Sequence, residues 1–329
     1  MAEGCASRPG RARGRLIPAI LAASLAAAVA FRVIAHGAGS TEVRRSFPAM
    51  GTIATVVIVA DARLADSIAD AAWSLVGRLD ADLDPTGLGS LGRLNATGSC
   101  IPSPDLMRLV ETSRTLTTFT GGRFDPTVRP LVELWGFEGT PRVPDSASID
   151  SALALCGWDG ISFDSGRLTA REGSGLDLGA IAAGYAADRV YELAVGMGAD
   201  AALVDMGGEI RCGGRLWRIA VQDPCGDGYY TVLEMEDGAV STSGGYENFF
   251  EDGGRIYSHI IDPSTGYPAE IPASVTVAHS RADAADALST AFAVSPPASG
   301  DSLLGARGVL LLLEDSSGAL MEIRHGSLD

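Results

Sequence analysis

Near residue 200 the text of this 329-residue chain changes period, and that change restricts its fold more than any other feature. Before it, apolar residues recur at helical spacing from Ala62 to Leu83 and from Ser103 to Thr118, and a further helix is expected from about Ile181 to Met197. The second of these opens on Ser-Pro-Asp, a good start signal, and stops at Gly121-Gly122. After it, from Ala201 to Val277, the chain becomes short β-rich segments (WRIAVQ, YYTVLEM, RIYSHII, SVTVAHS) separated by Gly, Asp and Pro turns. Thr52 to Val59 reads as a buried strand, Ala284 to Val294 as a helix, and LLLLE with LMEIR as a closing hairpin around Asp315 to Gly318. A Gly/Leu/Ser loop ending at Asn95 is expected after the first helix. Helices early and hairpin-linked strands later imply an α+β fold, mainly antiparallel sheets with packed helices. No internal repeat or long linker breaks residues 41–329, which read as one functional unit.

With 46% hydrophobic and 20% charged residues, the chain suits one large globular domain or two intimately packed ones. Its 41 acidic residues against 25 basic ones give a formal charge of −16, which repels a phosphate backbone and argues against nucleic acid as a partner. The basic residues that do cluster lie at the start: Arg8, Arg11, Arg13 and Arg15 precede an almost uncharged apolar run from Leu16 to Phe31. This reads as an export signal. At about 16 residues the run is short for a bilayer span of roughly 20, so residues 1–40 are a cleaved signal peptide or an N-terminal membrane anchor. Ala35-His36-Gly37-Ala38 offers a weak cleavage site, and no Cys follows the run as lipidation would need. Either way the folded part is expected outside the cytoplasm, in the periplasm or on the outer face of the inner membrane. Beyond Cys5, the cysteines are Cys100, Cys156, Cys212 and Cys225, enough for two disulfides and spaced like no zinc site. Cys212 with Cys225, across an expected hairpin, is the first pair to test; buried free thiols are the alternative.

Four segments are dense in Gly, Asp, Thr and His where neither helix nor strand propensity demands them, and loops of this kind often carry function. In Gly122-Arg123-Phe124-Asp125-Pro126-Thr127-Val128, followed by Leu131, Trp135, Gly136 and Phe137, Asp125 caps and Pro126 opens a helix after a double glycine. In Leu176-Asp177-Leu178-Gly179-Ala180-Ile181-Ala182-Ala183-Gly184-Tyr185-Ala186-Ala187-Asp188, small residues let a ligand or another helix approach the backbone, and Asp177 stands just before the helix. The third segment begins Ser241-Thr242-Ser243-Gly244-Gly245-Tyr246, whose hydroxyls and bare amides suit phosphate or a flavin ring edge. It resumes at Tyr257-Ser258-His259-Ile260-Ile261-Asp262-Pro263-Ser264-Thr265-Gly266-Tyr267-Pro268. His259, one of only four histidines, is there either a hydrogen-bonded core residue or a catalytic imidazole. In the fourth, Ala285-Asp286-Ala287-Leu288-Ser289-Thr290-Ala291, Asp286 and Thr290 lie one helical turn apart and point a carboxylate and a hydroxyl at the same spot. Such hard oxygens suit magnesium, with a backbone carbonyl, water and phosphate oxygens completing the shell.

Together and in this order, the segments resemble the ApbE family of flavin transferases, and the similarity runs from Ser46-Phe47-Pro48-Ala49-Met50-Gly51-Thr52 to the final hairpin. The most specific matches are Gly-x-Phe-Asp-Pro-Thr-Val…Leu…Trp-Gly-Phe, Asp-Leu-Gly…Gly-Tyr-Ala-Ala-Asp, the Thr-Ser-Gly loop, His-Ile-Ile-Asp-Pro-x-Thr-Gly and Ala-Asp-Ala-Leu-x-Thr. The resemblance implies a T-fold-like flavin transferase fold. It implies flavin contacts from Met50, Arg123, Phe124, Asp125, Asp177 and Ile260, joined by the Thr242-Ser243-Gly244 loop, and magnesium held by Asp286, Thr290, Ser289 and the Ala180 carbonyl. Two positions depart from the family. Ala183 stands in the cofactor wall where many relatives carry Lys, and Asp84-Pro85-Thr86-Gly87-Leu88-Gly89 lacks an aromatic residue often found there, so flavin stacking is weaker or comes from elsewhere.

The reaction implied is Mg-dependent transfer of FMN from FAD to a Thr or Ser hydroxyl of an exported partner protein, releasing AMP. His259 is the candidate general base, since imidazole titrates near working pH, with Asp262 to orient it. FAD diphosphatase activity and non-catalytic flavin binding are the alternatives. The acceptor implied by resemblance is a redox-complex subunit or a periplasmic flavoprotein.

Overall fold

The computed structural model describes residues 34–36, 40–137, 139–244, 248–270, 272–297, 303–315 and 319–329. The N-terminal arginines, the apolar run 16–31, Gly37 and Ala38 of the expected cleavage site, and Gly245 and Tyr246 lie outside the described residues. Among those described, no helix is long and apolar enough to cross a membrane.

Strands β1 (Ile34–His36), β2 (Ser40–Ala49) and β3 (Thr52–Asp61) lead into helix α1 (Ala62–Leu83). A mixed stretch follows: α2 (Ser90–Thr97), β4 (Ser99–Cys100), α3 (Pro104–Phe119), α4 (Arg129–Trp135), α5 (Ser146–Leu153), β5 (Ile161–Asp164) and β6 (Arg167–Ala170). Helix α6 (Ala182–Gly196) then opens a run of strands, β7 (Ala201–Asp205), β8 (Ile210–Gly213), β9 (Trp217–Gln222), β10 (Tyr229–Met235), β11 (Gly238–Gly244), β12 (Phe249–Asp252), β13 (Arg255–Ser258) and β14 (Ser274–His279). Helix α7 (Ala282–Val294) and the hairpin β15 (Gly308–Glu314) and β16 (Leu320–Gly326) close the chain.

One sheet of nine strands, in the order β1-β2-β3-β7-β8-β11-β14-β15-β16, forms the frame. Every neighbouring pair is antiparallel, as the hairpin-rich sequence implied. Strand β3 explains why its sequence is apolar throughout rather than alternating. Ala54, Val56, Ile58 and Ala60 join one core with the helices, while Val57 and Val59 join a second core with Trp217, Ile219, Val221, Leu233 and Met235 of the β9–β10 ribbon. Successive side chains on a strand face opposite ways, so this strand is covered on both sides. The result is a layered body of helices α1, α6 and α7, the sheet, and the ribbon.

Helix α1 buries Ala65, Ile68, Ala69, Ala72, Leu75, Val76, Leu79 and Leu83, the stripe its spacing foretold. Each large apolar side chain so buried contributes about 1.5–3 kcal/mol of transfer free energy. The expected loop ending at Asn95 is instead helical in its second half, as α2. Its glycines mark contact: a Cβ at Gly89 would lie 2.2 Å from the Ala81 carbonyl oxygen, and one at Gly92 2.0 Å from that of Gly87. Cys212 is a free, buried thiol on β8, so the Cys212–Cys225 disulfide does not form. A third, smaller core of Leu131, Trp135, Ile149, Ala152 and Ile261 seats the detached β12–β13 hairpin through Phe250 and Tyr257.

Candidate active site

A cleft of about 670 Å³ opens where the β2–β3 turn, the end of α1, the loops before α4 and α6, the end of β11, the chain after β13 and helix α7 meet. Met50, Arg123, Phe124 and Asp125 line it, as do Asp177, Ala180, Ala183, Thr242, Ser243 and Gly244. His259, Ile260, Asp286 and Thr290 complete the sequence-derived set in its wall. Asp262 and Ser289 do not line it. Phe137 of the first segment and Asp84 and Pro85 of the departing loop also line the cleft, as do Asp80, Val132, Glu209 and Asn248, which no motif singled out. Val132 and Phe137 follow Val128 along the α4 segment, and Asp80 and Asp84 follow one another by one helical turn at the end of α1; those spacings were the available signals.

Met50 enters the cleft from a strained turn. With Met50 at φ +50° and Gly51 at φ +75°, and Ala49 paired to Thr52, the two residues join β2 to β3 with positive φ at both corners. A non-glycine residue there costs on the order of 1 kcal/mol, which the paired strands sustain.

Asp125 takes up its expected capping role: its Oδ1 accepts from the Thr127 N–H at 2.9 Å and the Thr127 hydroxyl at 2.7 Å, with Pro126 at the first helical position. Burial nevertheless raises its pKa above the ordinary aspartate value, against the pull of Thr127. The Pro126 carbonyl accepts from the Asp177 N–H at 2.7 Å, stitching the first segment to the second. Asn95 braces the same wall by pairing with both backbone groups of Leu176 at 3.0 Å and donating to the Pro85 carbonyl at 3.1 Å. The Arg123 Nε donates to the Thr120 carbonyl at 2.9 Å, and its Nη1 donates to that of Ser295 at 3.1 Å, which ties the first segment to the end of α7.

The small residues of the second segment serve helix packing. A Cβ at Gly184 would lie 2.3 Å from the Ala282 carbonyl oxygen, so α6 and α7 touch backbone to backbone. At that contact the Gly184 N–H donates to Asp286 Oδ2 at 3.0 Å, which fixes one oxygen of this buried carboxylate. Ser289 is fully buried behind it. Its hydroxyl donates to the Asp286 carbonyl at 2.8 Å and pairs with Ser243 at 2.7 Å. That hydroxyl therefore braces α7 against β11 and is not presented to a cation, contrary to the ligand role the resemblance implied.

His259 continues the β12–β13 hairpin pairing. Its N–H donates to the Asn248 carbonyl at 3.1 Å, and its Nδ1 lies 2.9 Å from the same oxygen. A carbonyl only accepts, so Nδ1 carries the proton and a neutral ring keeps its lone pair on Nε2. Burial holds the His259 pKa below the usual histidine value, opposed by the Asn248 contact and by the nearby Asp177 charge. Asp262 does not orient this ring. Its Oδ1 is occupied by the Ser264 N–H at 2.8 Å and hydroxyl at 2.7 Å, within the Asp-Pro-Ser-Thr-Gly turn.

Among the described residues the lining is acidic, with Asp80, Asp84, Asp125, Asp177, Glu209 and Asp286 beside one arginine, Arg123. A pyrophosphate in such a cleft needs a cation. Among the described residues no group of three or more His, Cys, Asp or Glu could hold a metal alone. The Asp286 carboxylate, the Thr290 hydroxyl and the Ala180 carbonyl fit magnesium, which keeps waters and takes substrate phosphate oxygens rather than an all-protein cage.

Known proteins resemble this chain in sequence and in fold. The family model described as the ApbE family matches residues 50–312. A curated FAD:protein FMN transferase of Vibrio cholerae is 32% identical over 276 residues, 77% of this chain and 81% of that protein. One of Treponema pallidum is 35% identical over 239 residues, 65% of this chain and 66% of its own length. Among solved structures, the ApbE protein of Thermotoga maritima superposes with a TM-score of 0.78 at 34% identity, over 85% of this chain and 96% of its own. The flavinyl transferase ApbE of Pseudomonas stutzeri gives 0.78 at 31%, over 88% and 96%. A family match across most of the chain, relatives above 30% identity and the same fold leave one conclusion: the chain belongs to the ApbE family.

Proposed function

We propose that this enzyme is an FAD:protein FMN transferase that moves FMN from FAD, with magnesium, onto a threonine or serine hydroxyl of an exported partner protein. One observation carries the reading: the His259 imidazole, its Nδ1 against the Asn248 carbonyl, shares a single acidic cleft with the Asp286–Thr290 pair. In the step proposed, the acceptor oxygen bonds to the FMN phosphorus and the bridging P–O bond breaks. AMP leaves with that bonding pair, and the hydroxyl proton passes to Nε2 of His259. Asp286, Thr290 and the Ala180 carbonyl would hold magnesium, which when bound offsets pyrophosphate charge. The Asn248 carbonyl keeps the imidazole in its basic tautomer. Phe137, stacked on Trp135 at a centroid distance of 6.4 Å, supplies an aromatic wall that the Asp84–Gly89 loop lacks.

This reading takes residues 41–329 as one flavin transferase unit. The N-terminal arginines and the apolar run that follows support export, with the unit in the periplasm or at the outer face of the inner membrane. Incubating residues 41–329 with FAD, magnesium and periplasmic extract should produce flavin-fluorescent protein bands that survive denaturing electrophoresis, together with AMP. FMN accumulating free, with no labelled band, would overturn transfer in favour of FAD hydrolysis.

A further inference from the structure

Helix α7 carries Asp286 and Thr290 but does not cap itself. Arg281, at its N-cap, makes no side-chain capping bond, and Ala282 and Asp283 of the first turn are buried, at 0% and 1% exposure, so water cannot satisfy their N–H groups. The cap comes from another helix. Asp188 of α6 accepts from the Ala282 N–H at 3.0 Å through Oδ1 and from the Asp283 N–H at 3.1 Å through Oδ2. Four residues earlier, on the same face of α6, the Gly184 N–H holds the Asp286 carboxylate at 3.0 Å. Two clasps one turn apart on α6 thus grip α7 at its first turn and at Asp286 itself, and the missing Cβ of Gly184 sets the gap between them. The Arg211 Nε lies 3.6 Å from Asp188 Oδ1, the oxygen that also takes the Ala282 N–H.

We propose that Asp188 is a positioning residue for the reaction: by capping α7 from α6 it sets the aim of Asp286 and Thr290 toward the cleft, and so the affinity for the divalent cation. The inference rests on the cation reading given above and assigns a task to a residue that neither lines the cleft nor touches substrate. Groups that orient metal ligands from behind ordinarily matter nearly as much as the ligands.

The test is Mn²⁺ titrated into the FAD-bound chain and followed by electron paramagnetic resonance, beside melting temperature and FAD affinity measured in chelator. Asp188→Ala should weaken Mn²⁺ binding about 10–100-fold while FAD affinity in chelator is kept. Asp188→Asn should fall between it and wild type, because an amide oxygen still accepts one N–H, and it carries the test if the alanine variant does not fold. Mn²⁺ binding by the variants at wild-type strength would overturn the inference. Metal affinity, FAD affinity and melting temperature falling in step would also overturn it, since that is how a purely structural cap behaves. A wild-type chain that binds no Mn²⁺ would instead remove the cation reading beneath it.

Discussion

Asp286 and His259 face one cleft from walls built in opposite ways. The Asp286 wall is two helices at backbone contact, with Asp286 itself buried and Gly184, Ser289 and Asp188 each fixing a named atom. The His259 wall is a two-stranded hairpin outside the main sheet, seated on an aromatic cluster in which Phe250 and Tyr257 stack at 5.1 Å. Its catalytic candidate is held by one carbonyl. An isolated two-stranded ribbon is marginal in water, so this wall depends on Trp135 and its neighbours. The contrast teaches that the Asp286 side is preorganised by packing, whereas the His259 side is fixed only at Nδ1 of the ring.

Substitutions can break that comparison. The largest effect is expected from Asp286→Ala, which removes the one carboxylate of the cation set: transfer measured by in-gel flavin fluorescence should be abolished, and undiminished transfer would remove the metal from this account. His259→Ala comes next, with transfer slowed by roughly 10²–10⁴ while FAD affinity holds. Loss of FAD affinity and melting temperature together would mark His259 as a core residue instead. The pH profile sharpens the same point. A base works when unprotonated, so the rate should fall as pH drops through the His259 pKa. Burial sets that value below the ordinary histidine pKa near 6.5, and an acid limb centred above 6.5 would contradict the assignment.

Gly184→Ala should be milder than either. The added methyl meets the Ala282 carbonyl and must part the helices, which costs about 1–3 kcal/mol by overpacking. Thermal unfolding with a parallel metal titration would show it, and an unchanged protein would mean that the α6–α7 contact is looser than described. Smallest of all should be Asn248→Ala, since the atom that holds His259 belongs to the backbone. A large loss of rate there would show that the side chain of Asn248, a residue of the cleft lining, has a role of its own.

How legible each part was follows from the range of the forces involved. The α1 boundaries, Ala62 to Leu83, could be read directly because a long amphipathic stripe states its own period. The same held for the antiparallel strands and for the segments that line the cleft. Helix α2 was read as loop because Gly89 and Gly92 mimic a turn, although each is required by another backbone lying against it. Asp262 was placed beside His259 as a carboxylate that could orient it and Ser289 at the cation by the resemblance, and only folding shows their oxygens committed to Ser264 and to the Asp286 carbonyl. Cys212 and Cys225 fitted a disulfide by spacing, yet Cys212 stays a thiol in the second core.

By itself the sequence determined the fold class, the helical and strand periods, and the residue types that supply hard oxygens and an imidazole. It does so because side-chain chemistry and periodicity are local properties. Tertiary structure alone decided that Asp188 of α6 caps α7, that the Asn248 carbonyl sets the His259 tautomer, and that six carboxylates line one cleft. Those facts depend on distances between atoms far apart along the chain, which are fixed when the helices pack on the sheet and the hairpin seats on its own core.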